Sequence, residues 1–244
     1  YLEDRYWPDG MIRVSGGEYN GMVKSACFGS SELTCLTCHQ MHKQVDDPRS
    51  FSAWANDQMR HDRLGSEACL SCHAEYRSEE KLTAHTHHPA LSAGSDCLNC
   101  HMPHTSYGLL KAIRSHQISI PTAQESQAWG RPNACNLCHL DQTLEWSAKQ
   151  LEEWYDIEPP ESFRADEKNY SAAYLWALTG DAGQRALAAW SMGWLPAQEA
   201  SRMDSVPCVL AQLLADPYDA VRHIAHRSLK TFPEYRDFKF DYVG

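Results

Sequence analysis

The chain has 244 residues, a formal charge of −10 and 43% hydrophobic residues. That composition belongs to a globular chain, not a disordered one; the length allows one large domain or two small ones, and the acidity excludes broad non-specific binding to nucleic acid or anionic lipid. No run of eighteen apolar residues occurs, which excludes a transmembrane helix, and the start at Tyr1 reads as a mature chain whose targeting segment and any lipid anchor are absent.

Residues 1–31 are rich in aromatic residues and glycine (Tyr6, Trp7, Gly16, Gly17, Tyr19, Gly21) and read as irregular coil covering the first of four repeated sites. Those sites account for eight of the ten cysteines. They are Cys35-Leu-Thr-Cys38-His39, Cys69-Leu-Ser-Cys72-His73, Cys97-Leu-Asn-Cys100-His101 and Cys135-Asn-Leu-Cys138-His139. Cys-x-x-Cys-His is the attachment signature of c-type haem: the two thiols add to the porphyrin vinyl groups, and the adjacent histidine gives its imidazole to iron. Structural zinc has no need of a histidine after every second cysteine. A redox dithiol would occur once, and disulfides would not keep this spacing. The expectation is therefore four covalently attached haem c groups, on Cys35, Cys38, Cys69, Cys72, Cys97, Cys100, Cys135 and Cys138, with His39, His73, His101 and His139 as proximal ligands. Attachment of this kind takes place outside the cytoplasm, so a periplasmic or extracellular location is expected. The first cysteines of successive motifs are 34, 28 and 38 residues apart. So little chain per site cannot build a conventional core; the haems are expected to replace it, packed closely enough to conduct electrons.

Four irons with two axial ligands each require four further donors, and nine histidines remain. His42 follows His39 by three residues and is expected to reach a different haem. His85 and His88 are expected to point along one helical face, each to its own haem, with His87 turned away toward a propionate. His116, after the run Leu109–Arg114, is placed to return to a haem. His104 is a weaker candidate. His61, His223 and His226 read as surface residues, one of the last two being a possible ligand to a neighbouring subunit. Paired imidazoles give low-spin, low-potential haems; Met41, Met59 or Met102 in their place would raise the potential.

From Asp141 the character changes. Thr143 to Tyr155 reads as an amphipathic helix with Leu144, Leu151, Trp154 and Tyr155 near one face, and Glu158-Pro-Pro-Glu161 as a linker. Two helix pairs follow. Glu167–Thr179 turns at Gly180-Asp181 into Ala182–Trp194, and Val206–Ala215 turns at Asp216-Pro217 into Tyr218–Phe232. Their offset of about 36 residues lies within the range of helical repeats. Two repeats are too few to stand alone, so the tail is expected to pack on the motif-bearing half through the helix of Trp146 and Trp154. The expected division is 1–140 for the tetrahaem domain, 141–165 for a helix and linker, and 166–244 for a helical repeat domain. The fold class is mainly α with extensive coil. Cys27 and Cys208 either bridge the two halves or stay as thiols, Cys208 buried in an apolar helix.

Several stretches resemble bacterial multihaem c-type cytochromes in which a tetrahaem domain precedes HEAT-like repeats. They are Glu18-Tyr-Asn-Gly21 through Cys27, Cys35 through Gln40-Met-His42, Cys97 through Met102-Pro103, Ser115-His-Gln-Ile118 and Arg131-Pro-Asn-Ala-Cys135 through His139. The resemblance implies His42, His85, His88 and His116 as distal ligands, in agreement with the spacing. It also implies electron transfer in a respiratory chain, or assembly into conducting extracellular filaments. The expected function is thus that of a non-catalytic electron carrier between redox partners, among them other cytochromes or copies of itself. A homopolymer is the first alternative. A haem enzyme with one open iron, such as a nitrogen-oxide reductase, is the second. Haem propionates would add to the acidity, so basic partners should dock in a salt-dependent way.

Overall fold

The computed structural model describes residues 5–30, 33–201 and 204–241, with only the backbone of Ser30. It is mainly helical with long irregular connections, as the composition and motif spacing suggest. Residues 1–4 and 31 of the expected coil lie outside the described residues, as do 202–203 and 242–244 of the expected repeat region.

The described part of the first segment is not all coil. It holds two one-turn helices, α1 (Glu18–Met22) and α2 (Ala26–Ser30). Trp7 and Met11 are buried against Ala112 and Leu187, and the Trp7 indole donates to the Thr105 carbonyl at 3.0 Å. The segment therefore clasps the middle of the chain as well as its beginning. Gly21 backs directly onto the peptide of His116 and Gln117, where a Cβ would have no room. Ser25 Oγ accepts from Ile118 N–H at 2.8 Å beside it.

Short helices then follow one another: α3 (Cys35–Cys38), α4 (Phe51–Asp57), α5 (Glu67–Leu70), α6 (Glu79–Thr86) and α7 (Cys97–His101). A two-stranded antiparallel hairpin, β1 (Ser106–Gly108) and β2 (Lys111–Ile113), pairs Ser106 with Ile113. Its two-residue turn places Leu109 and Leu110 at φ 52° and 57°. Such turns match the twist of a hairpin but usually take asparagine or glycine, which is why the leucine pair gave no turn signal in the sequence. α8 (Ala123–Trp129) precedes the fourth motif, which is a run of turns.

α9 (Leu144–Tyr155) matches the expected amphipathic helix. Thr143 caps it by accepting from Trp146 N–H at 3.0 Å. The expected helix from Glu167 breaks in two, α10 (Ala165–Asn169) and α11 (Ala172–Thr179), because the Ser171 hydroxyl caps the second at Tyr174 N–H. α12 (Ala182–Met192) begins at the Asp181–Gln184 capping box. A short α13 (Leu195–Ser201) then intervenes, followed by α14 (Val206–Leu213) and α15 (Asp219–Leu229). α11 packs on α12, α14 on α15, and the pairs stack mainly through α12 against α15. Arg185 joins the two expected turns, its Nε donating to Asp216 at 2.5 Å.

The main apolar core lies here. Leu210, Met192 and Val221 are wholly enclosed, and the cluster continues across residue 140 to Leu140, Leu144 and Ala148. α12 also packs on the hairpin. The tail thus meets the motif-bearing stretch through α12 as well as through α9. Cys208 is exposed on α14, not buried as the apolar helix suggested.

Candidate metal centres

The first and third motifs lie on short helical turns, where positions separated by three and four share a face, while the second runs from a helix into a turn and the fourth is a run of turns. In the first, second and fourth motifs the histidine N–H donates to the carbonyl of the first cysteine at 2.8, 2.9 and 2.8 Å. In the third, His101 is the last residue of α7. Local capping fixes where the turns begin. Asp96 accepts from Leu98 N–H at 3.1 Å, and Asn133 accepts from Cys135 N–H at 2.9 Å.

The motifs are neighbours in chain order. Cys38 lies within electrostatic reach of Cys72, Cys69 hydrogen-bonds to Cys97, and Cys100 is close to Cys135 and Cys138. Ser66 locks the second motif to the third, bonding Asp96 and Cys97 N–H at 3.1 Å each. Burial pushes Cys100 up to about 11 and Cys135 and Cys138 up to about 12. The hydrogen bond between Cys69 and Cys97 raises the first and lowers the second.

Three of the four motif histidines face a second imidazole. His39 faces His116 with centroids 6.1 Å apart and planes at 26°. His101 faces His85 at 6.1 Å and 6°. His139 faces His88 at 6.0 Å and 34°. Direct stacking would bring such rings closer. A metal ion bonded at about 2 Å to a nitrogen of each separates the centroids by about 6 Å, so the spacing fits an iron held between them. In each pair one far nitrogen is anchored. Nδ1 of His39 contacts the Asp57 carbonyl at 3.0 Å, that of His101 the Ser119 carbonyl at 2.8 Å, and that of His88 the Thr86 carbonyl at 2.6 Å. A carbonyl at Nδ1 fixes the proton there and leaves Nε2 free to ligate. Burial, reinforced by the facing imidazole, lowers the pKa of His85, His116 and His139, favouring the neutral ring that binds metal.

His85 and His88 do not share a helical face as the spacing suggested. α6 ends at Thr86, and His87 takes a left-handed conformation with φ 56°. That turn sends His85 to the third motif and His88 to the fourth. Gly94 leaves the space that the His88 ring fills. His87 is exposed, turned away from both motifs as expected, and its ring stacks on Trp154 at 4.4 Å.

His73 is half-exposed and His42 exposed, and among the described residues no ring faces His73. Met41 is exposed, Met59 pairs by its backbone with His39, and the Met102 carbonyl accepts from Arg114. His104 is packed against the stacked pair Trp190 and Trp194, at 4.3 and 5.4 Å, where burial lowers its pKa to about 3. His61 is only partly exposed and its Nδ1 is enclosed. On α15, His226 is held by the Phe238 carbonyl at 3.0 Å.

Sequence reasoning did not assign the side chains that steady these rings. Tyr76 lies 4.7 Å from His85, Trp146 lies 5.1 Å from His139, and the Tyr155 hydroxyl donates to the His85 carbonyl at 2.5 Å. Trp146 and Tyr155 sit nine positions apart on α9, and their aromatic character was the available signal.

No family model and no curated protein matches the chain. Among solved structures, the outer cell wall cytochrome OcwA aligns at 16% identity and a TM-score of 0.44, covering 94% of this chain and 53% of its own. The chain thus spans about half the length of that protein, and the likeness is too slight to carry an argument. Among the described residues no helix is long and apolar enough to cross a membrane.

Proposed function

We propose that the chain is a four-haem c-type electron carrier in which paired imidazoles hold each iron. The reading rests on the three opposed imidazole pairs at 6.0–6.1 Å, each with one member supplied by a Cys-x-x-Cys-His motif. His39 with His116, His101 with His85, and His139 with His88 are the proposed axial sets; His42 is assigned to His73 as the remaining donor. Bound haem would supply a one-electron iron couple at each site. The chain's part is to tether each group through two thiols, hold one imidazole of each of the three pairs by its Nδ1, and keep successive sites adjacent. An uninterrupted order of neighbouring motifs suits passage of charge along the chain.

The proposed organisation keeps 1–140 as the haem-bearing unit, 141–165 as a helix and linker, and 166–244 as a HEAT-like scaffold. The proposed setting is the periplasm or the cell exterior, with proteins of the same kind or further copies of this chain as partners, including assembly into a filament. His226, held by Phe238, is poorly disposed to lend a ligand across such an interface.

Intact mass and haem absorbance test the reading together. Four haem adducts per chain and bis-imidazole low-spin resonances are expected; a chain without adducts overturns it. A second reading, a haem enzyme with one open position, draws on the exposed His42 and the unfaced His73. Carbon monoxide binding to one haem in four favours the enzyme, and its absence the carrier.

A further inference from the structure

Arg114 follows β2 and reaches back to the third motif. Its Nη2 donates to Asn99 Oδ1 at 2.8 Å, inside Cys97-Leu-Asn-Cys-His, and its Nη1 donates to the Met102 carbonyl at 3.2 Å, directly after His101. Both partners are neutral. The guanidinium also lies within electrostatic reach of Cys100 in the third motif, Cys138 in the fourth, and Asp96. Asp96 is itself engaged by Ser66 Oγ and Leu98 N–H. The cation is therefore largely enclosed between two attachment sites and satisfied by dipoles, not by a bonded carboxylate.

The first motif is served differently. Arg60 and Arg63 lie near Cys38, but Asp62 bonds Arg60 at 2.9 Å and lies 3.8 Å from Arg63. The Arg60–Asp62 pair is exposed, so carboxylate and solvent both weaken its field. A partly buried cation is screened less, and arginine keeps its charge at every working pH.

We propose that Arg114 sets the reduction potentials of the third and fourth centres, its fixed charge favouring the state that has gained an electron. This rests on the haem reading above. Reduction adds one electron, delivered by the redox partner, to a centre beside the cation; iron(III) becomes iron(II) with no proton required of Arg114. The two centres beside Arg114 thereby become the preferred resting place of electrons entering the chain.

The test is a spectroelectrochemical titration of holoprotein in which four haems have first been counted by mass. Arg114→Gln keeps an amide donor for Asn99 and removes the charge. Two of the four midpoint potentials are expected to fall while two stay in place. Arg114→Lys, which keeps the charge and loses the forked contact, is expected to stay near wild type. Four unmoved potentials, four equal shifts, or equal shifts in both variants would overturn the proposal, the last by showing a structural role. If Arg114→Gln does not acquire four haems, Asp96→Asn decides: it keeps the helix cap, and loss of the carboxylate near Cys97 and Cys100 should raise at least one potential. No rise overturns the proposal. A wild-type chain without haem would instead refute the function on which it rests.

Discussion

Residues 58–110 and 172–229 are similar in length and opposite in construction. In the first, the buried residues are Ser95, Pro103, Thr105 and Ser106. In the second, Ala173, Ala177, Leu187, Met192, Leu210 and Val221 are fully enclosed and their helices interlock. Ordering a residue costs about 1–2 kcal/mol of backbone entropy, and burial of apolar area is the main offset. The tail meets that cost with its own side chains. The motif-bearing stretch does not, and the connections between its short helices expose apolar residues such as Leu64 and Leu91. On the proposed reading its packing partners are the groups its cysteines tether, while the tail acts as a scaffold whose α9 presses Trp146 and Trp154 against His139 and His87.

The largest expected effect follows from removing the tethers. In a chain with all eight motif cysteines replaced by serine, amides of residues 58–110 should lose hydrogen-exchange protection while those of α11, α12, α14 and α15 keep theirs. Retained protection in both stretches would break the comparison. A smaller effect comes from the other side. Leu210→Ala in the tail should lower stability by about 2–5 kcal/mol in denaturant unfolding and leave the haem spectrum unchanged. Loss of haem ligation in that variant would mean the two stretches do not behave separately.

Much of this contrast was legible in the sequence, for reasons of range. The motifs and the α9 pattern are local, and a local signal survives without knowledge of the fold. The capping of α11 by Ser171 and the left-handed His87 are local too, but they depend on single backbone angles that composition does not reveal. Matching His116 with His39 joins residues far apart in the chain, and nothing in their spacing encodes it. The clasp of Gly21 and Ser25 on the His116 segment is equally non-local; the quoted stretches from Glu18 and from Ser115 were each visible, but not that they touch. The Leu109-Leu110 turn was illegible because packing of its flanking strands against Ser15 and α12 overrides the turn preference of its residues.

His104 offers the finest test, because it stands where the two constructions meet. Its ring is packed on Trp190 of α12, and burial holds its pKa at about 3. An unfolded histidine titrates near 6.5, so the unfolded chain takes up a proton that the folded one refuses. The contribution of this group is therefore present above pH 6.5 and is lost as pH falls toward 3. The loss amounts to up to about 1.4 kcal/mol for each pH unit crossed. His104→Phe keeps a ring against Trp190 and Trp194 and cannot take up the proton. Between pH 6.5 and 5.5 the variant's thermal midpoint should fall less steeply than that of the wild type, by roughly 2–4 °C for a chain of this size. Equal slopes would show that His104 is accessible to protons in the folded chain, and that the contact between hairpin and α12 opens in acid without cost to the helical core.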